Sequence, residues 1–151
     1  MALTELKGQE LGQTEVEIER GPVRVFAAAV KDDDPAYRQG EGSPVPPTFP
    51  FVMTYWGSTG QGGAAGLPID KLRGPGKMLL HGEQEFEYHR WPKVGDRLVG
   101  TGRIADVYEK DSGSATMEFY VTETEWKDAE TGDPVVTARF SLIVRVPKPK
   151  D

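Results

Sequence analysis

The chain has no cysteine and only two histidines in 151 residues. Without cysteine there is no disulfide framework, no thiolate nucleophile and no Cys-ligated metal. Imidazole chemistry has two possible sources, His81 and His89. Cations are outnumbered, 18 Lys and Arg against 24 Asp and Glu, which leaves a net charge of −6. Broad electrostatic binding to nucleic acid or to an anionic membrane is not expected, because phosphate neutralisation needs clustered Lys and Arg. No run approaches the ~18 apolar residues of a membrane span. The first ten residues carry Glu5, Lys7 and Glu10 and lack the apolar core of a signal peptide. The expectation is a cytoplasmic protein of one domain, residues 1–151, with no cofactor and no metal. A chain this long buries roughly two-thirds of its unfolded surface and needs no staple.

Glycine and proline are abundant instead, 18 and 12, and most of them lie before residue 79. Beyond it, apolar and polar side chains alternate almost without pause. After Pro134 the even positions are Val136, Ala138, Phe140, Leu142, Val144 and Val146, and the odd ones include Thr137, Arg139, Ser141 and Arg145. That period of two, with β-branched residues, is a strand with one buried face. Ala115, Met117, Phe119 and Val121 alternate with Thr116, Glu118, Tyr120 and Thr122 in another strand. The loop 127–133, with Gly132 free for a positive φ, joins the two as a hairpin. Strands over 97–108 and 80–90 complete an expected four-stranded meander, and 14–19 adds a fifth strand.

Two helices are expected before the meander. Pro22 suits a first helical turn, and Val23, Phe26, Ala27 and Val30 form an apolar stripe. The second helix covers 48–57, with Thr48 as its cap. Phe49, Phe51, Val52, Met53, Tyr55 and Trp56 leave it almost no polar face, so it belongs inside something. Residues 57–76 read as a long glycine-rich loop. A curved antiparallel sheet wrapped round one central hydrophobic helix is the α+β hot-dog fold. A closed β-barrel with a short inserted helix is the alternative.

Three stretches resemble the MaoC-like hydratases, in particular the FAS1-like dehydratase N-terminal domain branch. They are Phe26-Ala-Ala-Ala-Val-Lys-Asp-Asp-Asp-Pro-Ala-Tyr37, Val45-Pro-Pro-Thr-Phe-Pro50 and Leu80-His-Gly-Glu-Gln-Glu-Phe-Glu-Tyr-His-Arg90, followed by Gly95-Asp96 and Asp106-Val-Tyr-Glu-Lys110. The resemblance implies a hot-dog fold dimerised through a continuous sheet. It also implies an acyl thioester of coenzyme A or acyl carrier protein as substrate, hydrated reversibly from the trans-2-enoyl to the 3-hydroxyacyl form. Water adds to the β-carbon while a proton arrives at the α-carbon, so a carboxylate and an imidazole sharing one water can run both transfers. Backbone N–H groups at a helix N-terminus would stabilise the charge on the thioester oxygen.

Active members carry that dyad as Asp-x4-His just after the first helix. Asp32 matches the aspartate, but Tyr37 stands in the histidine position, and the other frames lead from Asp33 to Arg38 and from Asp34 to Gln39. A phenol with a pKa of about 10 is a poor general base near pH 7. In the heterodimeric dehydratases of this family one subunit keeps the dyad and the other shapes the acyl channel. The resemblance thus implies the second kind of subunit, a homodimer or a heterodimer with a dyad-bearing MaoC-like hot-dog protein. The rival readings are a homodimeric hydratase or thioesterase with an atypical acid/base, and an acyl-thioester binding protein without turnover.

Tyr37, Pro47, Thr48, Phe49, Phe51 and Trp56 are the candidate substrate-binding residues, at the end of the first helix and along the second. Asp32, Asp33 and Asp34 also fit a plain helix-ending turn closed by Asp34-Pro35. His81 is the remaining candidate for the missing imidazole. In an undistorted strand it shares a face with Glu83, Glu85, Glu87 and His89, with Phe86 and Tyr88 on the other. The two histidines are then about 27 Å apart, too far to share a metal ion.

Overall fold

The computed structural model describes residues 1–57 and 66–149. Five antiparallel strands form one sheet: β1 (Glu10–Glu17), β2 (Met78–Tyr88), β3 (Arg97–Ser112), β4 (Ala115–Asp128) and β5 (Pro134–Pro147). They lie side by side in the order β1-β3-β4-β5-β2. The described helices pack on one face, and the chain adopts the hot-dog architecture.

The meander has three strands, β3-β4-β5, rather than the expected four. β2 pairs with β5 at the far edge, Tyr88 opposite Val136 and Met78 opposite Arg145. The reason lies in the link from β2 to β3. Ser43 and Val94 exchange a backbone bond, Val45 N–H donates to the Pro92 carbonyl, and Gly95 and Asp96 bond to Ile18. These contacts carry the link across the end of the sheet instead of letting it reverse as a hairpin. Arg90 fixes the crossing, with its guanidinium 2.6 Å from Asp96 and 2.9 Å from Asp128.

The inner face carries two apolar clusters. The first gathers Val16, Ile18, Val23, Phe49, Met53, Leu98, Trp126 and Val136 beneath helix α1 (Arg20–Ala29). Trp126 lies flat over Gly100, where any Cβ would stand 2.8 Å from its ring. The second contains Leu6, Leu67, Leu72, Ile104, Tyr120, Leu142 and Val144. In β5 the even residues face inward, as the alternation indicates.

β4 shows the opposite of its apparent pattern. Glu118, Tyr120 and Thr122 face the core, while Met117, Phe119 and Val121 lie on the outer face, half-buried. The polar row tolerates burial because its groups are paired. The Tyr120 hydroxyl donates to Glu118 at 3.1 Å and accepts from Leu3 N–H, and Lys77 stands 3.8 Å from Glu118. Burial, the largest effect, pushes the Tyr120 hydroxyl up to about 12.

The single helix expected over 48–57 is two shorter pieces, a 3₁₀ turn Phe49–Val52 and helix α2 (Met53–Trp56). Thr48 occupies the cap position without a side-chain capping bond. Being apolar all round does not bury it all round: Phe49 and Met53 are buried, whereas Tyr55 and Trp56 are more than half exposed. The expected loop over 57–76 is structured near its end by helix α3 (Ile69–Leu72), which drives Leu72 into the second cluster. The rest of that expected loop, residues 58–65, lies outside the described residues.

Candidate functional site

The end of α1 is built by its own carboxylates. Asp32 accepts a bond from Asp34 N–H at 3.1 Å, and Asp34 accepts from Ala36 N–H at 2.8 Å. The second bond caps the 3₁₀ turn Pro35–Arg38, which Pro35 starts. Arg38 answers Asp33 at 3.2 Å on the surface. This turn brings Tyr37 back against the first apolar cluster, near the carboxylates of Asp32 and Asp34. Burial first, then the charges of Asp32 and Asp34, raise the phenol above its ordinary value of 10.0. A phenol raised in this way holds its proton more tightly than a free one and is a still poorer base near neutral pH.

Beside this turn the inner face opens a groove of about 350 Å³ lined by Phe26, Thr48, Phe51, His81, Gln84 and Phe86. Phe26 comes from α1 and stands edge-on against Phe49, with ring centroids 5.6 Å apart. Phe51 projects from the 3₁₀ turn. The other three come from β2, and their grouping overturns the regular-strand expectation. A β-bulge between His81 and Glu83 leaves Gly82 unpaired, so His81 faces Leu142 and Gln84 faces Phe140. One extra residue reverses every side chain on one side of it. His81 consequently shares the inner face with Gln84, Phe86 and Tyr88, not the outer face with the glutamates. Its imidazole lies 5.7 Å from the Phe51 ring and 4.5 Å from Phe140. Among the described residues its ring nitrogens have no hydrogen-bond partner. His89, by contrast, bonds Thr137 at 3.0 Å on the sheet's other side.

Gly82 makes the bulge possible. A Cβ there would stand 2.6 Å from the Ile143 Cδ1 and 3.0 Å from the Ser141 carbonyl. Across the groove, Tyr88 donates to the Pro47 carbonyl and stacks on Trp91 at 4.4 Å, while Trp91 donates to Val45. Burial pushes the Tyr88 hydroxyl up to about 12. This clasp fixes the segment that carries Thr48 and Phe51. The amides expected to hold a thioester oxygen are partly spent, since Phe49 N–H donates to Pro46 and Phe51 N–H to Thr48. Pro50 has none to offer.

Of the residues singled out from sequence, Thr48, Phe51 and His81 line the groove. Phe49 lies beneath it in the core, Pro47 anchors its rim, Tyr37 packs on the same cluster, and Trp56 projects outward. Phe26, Gln84 and Phe86 are the lining residues that sequence reasoning missed. Phe26 was visible only as helix stripe, and the other two join His81 only once the bulge is known.

A curved sheet on a short aromatic helix, with an apolar groove beside the helix, defines the hot-dog class of proteins. The family model described as the FAS1-like dehydratase domain region matches residues 5–138. The chain belongs to that family. A UPF0336 protein of Streptomyces coelicolor is 34% identical over 139 residues, covering 85% of each chain. Among solved structures, the HadBC complex of Mycobacterium tuberculosis, a 3R-hydroxyacyl-ACP dehydratase, superposes with a TM-score of 0.67 at 22% identity. The match covers 91% of this chain and 96% of that one. The ChsH1-ChsH2 complex of the same organism also gives 0.67, at 16% identity over 91% and 85% of the two chains. Both likenesses are of fold.

Proposed function

We propose that this chain is the substrate-binding, non-catalytic subunit of an enoyl-thioester hydratase, working beside a MaoC-like hot-dog partner that carries Asp-x4-His. The observation that carries the reading is the Asp32–Tyr37 pair. Where the resemblance puts a carboxylate and an imidazole, this chain has Asp32 and a phenol whose pKa is raised, on the same apolar cluster as Phe26 of the groove. The partly spent amides at the turn after Thr48 favour the same reading. HadBC and ChsH1-ChsH2 are themselves complexes of two named components. A carrier in either form, coenzyme A or acyl carrier protein, is compatible with a groove open at one side.

The bulge at Gly82 favours a second reading, a homodimeric hydratase or thioesterase in which His81 supplies the imidazole. Gln84 lies in the same groove but donates its amide to the Arg139 carbonyl at 2.9 Å and the Glu85 carbonyl at 3.4 Å, which leaves only its oxygen to orient a water. One experiment separates the readings. Thermal shift is measured with acyl-CoA of increasing chain length and with free coenzyme A, alongside hydration of crotonyl-CoA by the isolated protein. The binding-subunit reading expects stabilisation that rises with chain length and stops at the groove's end, since a ligand that binds only the folded state raises Tm. It also expects little turnover. Flat melting temperatures end the binding role, and ordinary turnover abolished by His81→Ala establishes the second reading.

A further inference from the structure

We propose that the outer face of the sheet packs against the same face of a second copy of this chain, about a two-fold axis running along the strands between β4 and β5. No described element covers this face, because the helices and both core clusters lie on the other side. Two cross-strand rows mark it. One is apolar: Leu80 beside Ile143, Ile143 beside Phe119, Phe119 beside Tyr108. Phe119 and Tyr108 stack at 4.6 Å. The other alternates in sign across the same strands, Glu85, Arg139, Glu123, Arg103. Ion pairs of 2.6, 2.7 and 2.7 Å join its members.

A symmetric contact must match one surface to itself through a single operator. A two-fold along the strands keeps each row at its own height and reverses its order. The apolar row then meets its copy, with Leu80 opposite Tyr108 and Ile143 opposite Phe119. The charged row meets its copy out of phase, with Glu85 opposite Arg103 and Arg139 opposite Glu123. Other placements fail. With the axis on β4, Arg139 faces Arg103 and Glu123 faces itself. With the axis across the strands, every charge faces itself, or the apolar row lies on the charged one, or the axis runs through the apolar row and the charged row is left without a partner at the sheet's end. The favoured operator also sets Glu83 opposite Asp106, a meeting of like charges, but Lys7 already neutralises Asp106 at 2.9 Å. Face-to-face sheets stack about 10 Å apart, a gap that an arginine and a glutamate reaching from opposite sides can close.

The test uses the full chain in sedimentation velocity. Glu85 and Arg103 lie three strands apart within one sheet, roughly 14 Å, so they do not touch inside a chain. Glu85→Arg alone, or Arg103→Glu alone, sets like charges opposite each other twice per interface and is expected to weaken association about tenfold or more. The double exchange is expected to restore it, a rescue that can arise only between copies. If β2 also joins copies edge to edge, the wild-type particle is a tetramer and each single variant falls to a dimer. A wild-type mass near 16.6 kDa at high micromolar concentration overturns the proposal. So does an assembly indifferent to both reversals, or one that both weaken and the double exchange does not rescue. A face used by an unrelated protein gives the first of these results.

Discussion

The turn after α1, which carries Tyr37, and the bulge in β2, which turns His81 into the groove, are built in opposite ways. The turn is stiffened by local bonds, Asp32 to Asp34 and Asp34 to Ala36. It sets the Tyr37 phenol against the first apolar cluster, at the point where the resemblance puts a histidine. The bulge rests on one absent side chain, at Gly82, and turns a histidine inward from a strand that otherwise shows glutamates on its outer side. The turn is thus held by hydrogen bonds, whereas a single irregularity in a strand is enough to place a histidine in the groove. Which of the two serves the substrate is a question that substitutions can answer.

The largest effect is expected at Tyr37. Tyr37→His rebuilds Asp-x4-His on a backbone that already brings position 37 to Asp32. General acid/base catalysis is worth roughly 10²–10⁴-fold, so hydration of crotonyl-CoA by the isolated variant is expected to rise by a factor in that range. His81→Ala in the same background is expected to leave the gain intact. A gain that disappears with His81 would mean that the bulge, not the turn, carries the proton. No gain at all, in a variant with the wild-type melting temperature, would mean that the groove does not present an enoyl thioester to position 37.

Gly82→Ala follows, with a smaller effect that sharpens the other half of the comparison. The new methyl would overlap the Ile143 side chain and press the Ser141 carbonyl at 3.0 Å. Ile143 can swing its tip away, but its Cγ1 at 2.8 Å and the carbonyl belong to stiffer parts of β5. Overpacking of this kind costs about 1–3 kcal/mol, to be read from the urea midpoint. The strand's other way out is to regularise, which would return His81 to the outer face and separate its ring from Phe51 and Phe140. The His81 ring proton shifts in NMR report that directly. Unchanged stability and unchanged shifts would mean that glycine is not what holds the bulge.

These two regions also show how far the sequence could be read. The alternation in β5 was legible because both faces of that strand are chemically distinct, Val136, Leu142 and Val144 inward and Arg139 outward. The hot-dog architecture was legible because a run as apolar as 49–56 has to be covered. The inward turn of His81 was not, since a period-two reading carries no marker for where an extra residue enters, although glycine inside a strand is the residue that allows one. In β4 the pattern misled, because Glu118 and Tyr120 satisfy each other and can be buried, leaving Phe119 outside. The partner of β2 was equally hidden. Pairing with β5 is a long-range choice, set by backbone bonds at Ser43, Val45 and Ile18 rather than by anything in the strand.

The smallest effect concerns the outer side of β2, where the glutamates opposite the bulge's histidine do their pairing. Arg139 binds Glu85 and Glu87 there at 2.6 and 3.3 Å, and binds Glu123 at 2.7 Å. Burial pushes the Glu123 carboxyl up, but hydrogen bonds from Arg103 and Arg139 outweigh it and hold the group below its ordinary 4.5. A carboxyl depressed in the folded state binds its proton more readily when the chain unfolds. Its stabilisation is therefore complete above the unfolded value, near 4.5, and is lost as pH falls through the lower folded value. The urea midpoint is expected to be level from pH 7 to about 5 and to decline below that. In Arg139→Gln, Glu123 keeps only Arg103 as a cation, its pKa moves back toward the ordinary value, and the decline should become shallower. Wild type and variant would then differ most near neutral pH and converge in acid. Parallel declines in the two proteins would show that the acid sensitivity lies elsewhere, for instance at Asp128, whose carboxyl is also lowered, by the backbone N–H groups of Glu130 and Thr131 and by Arg90.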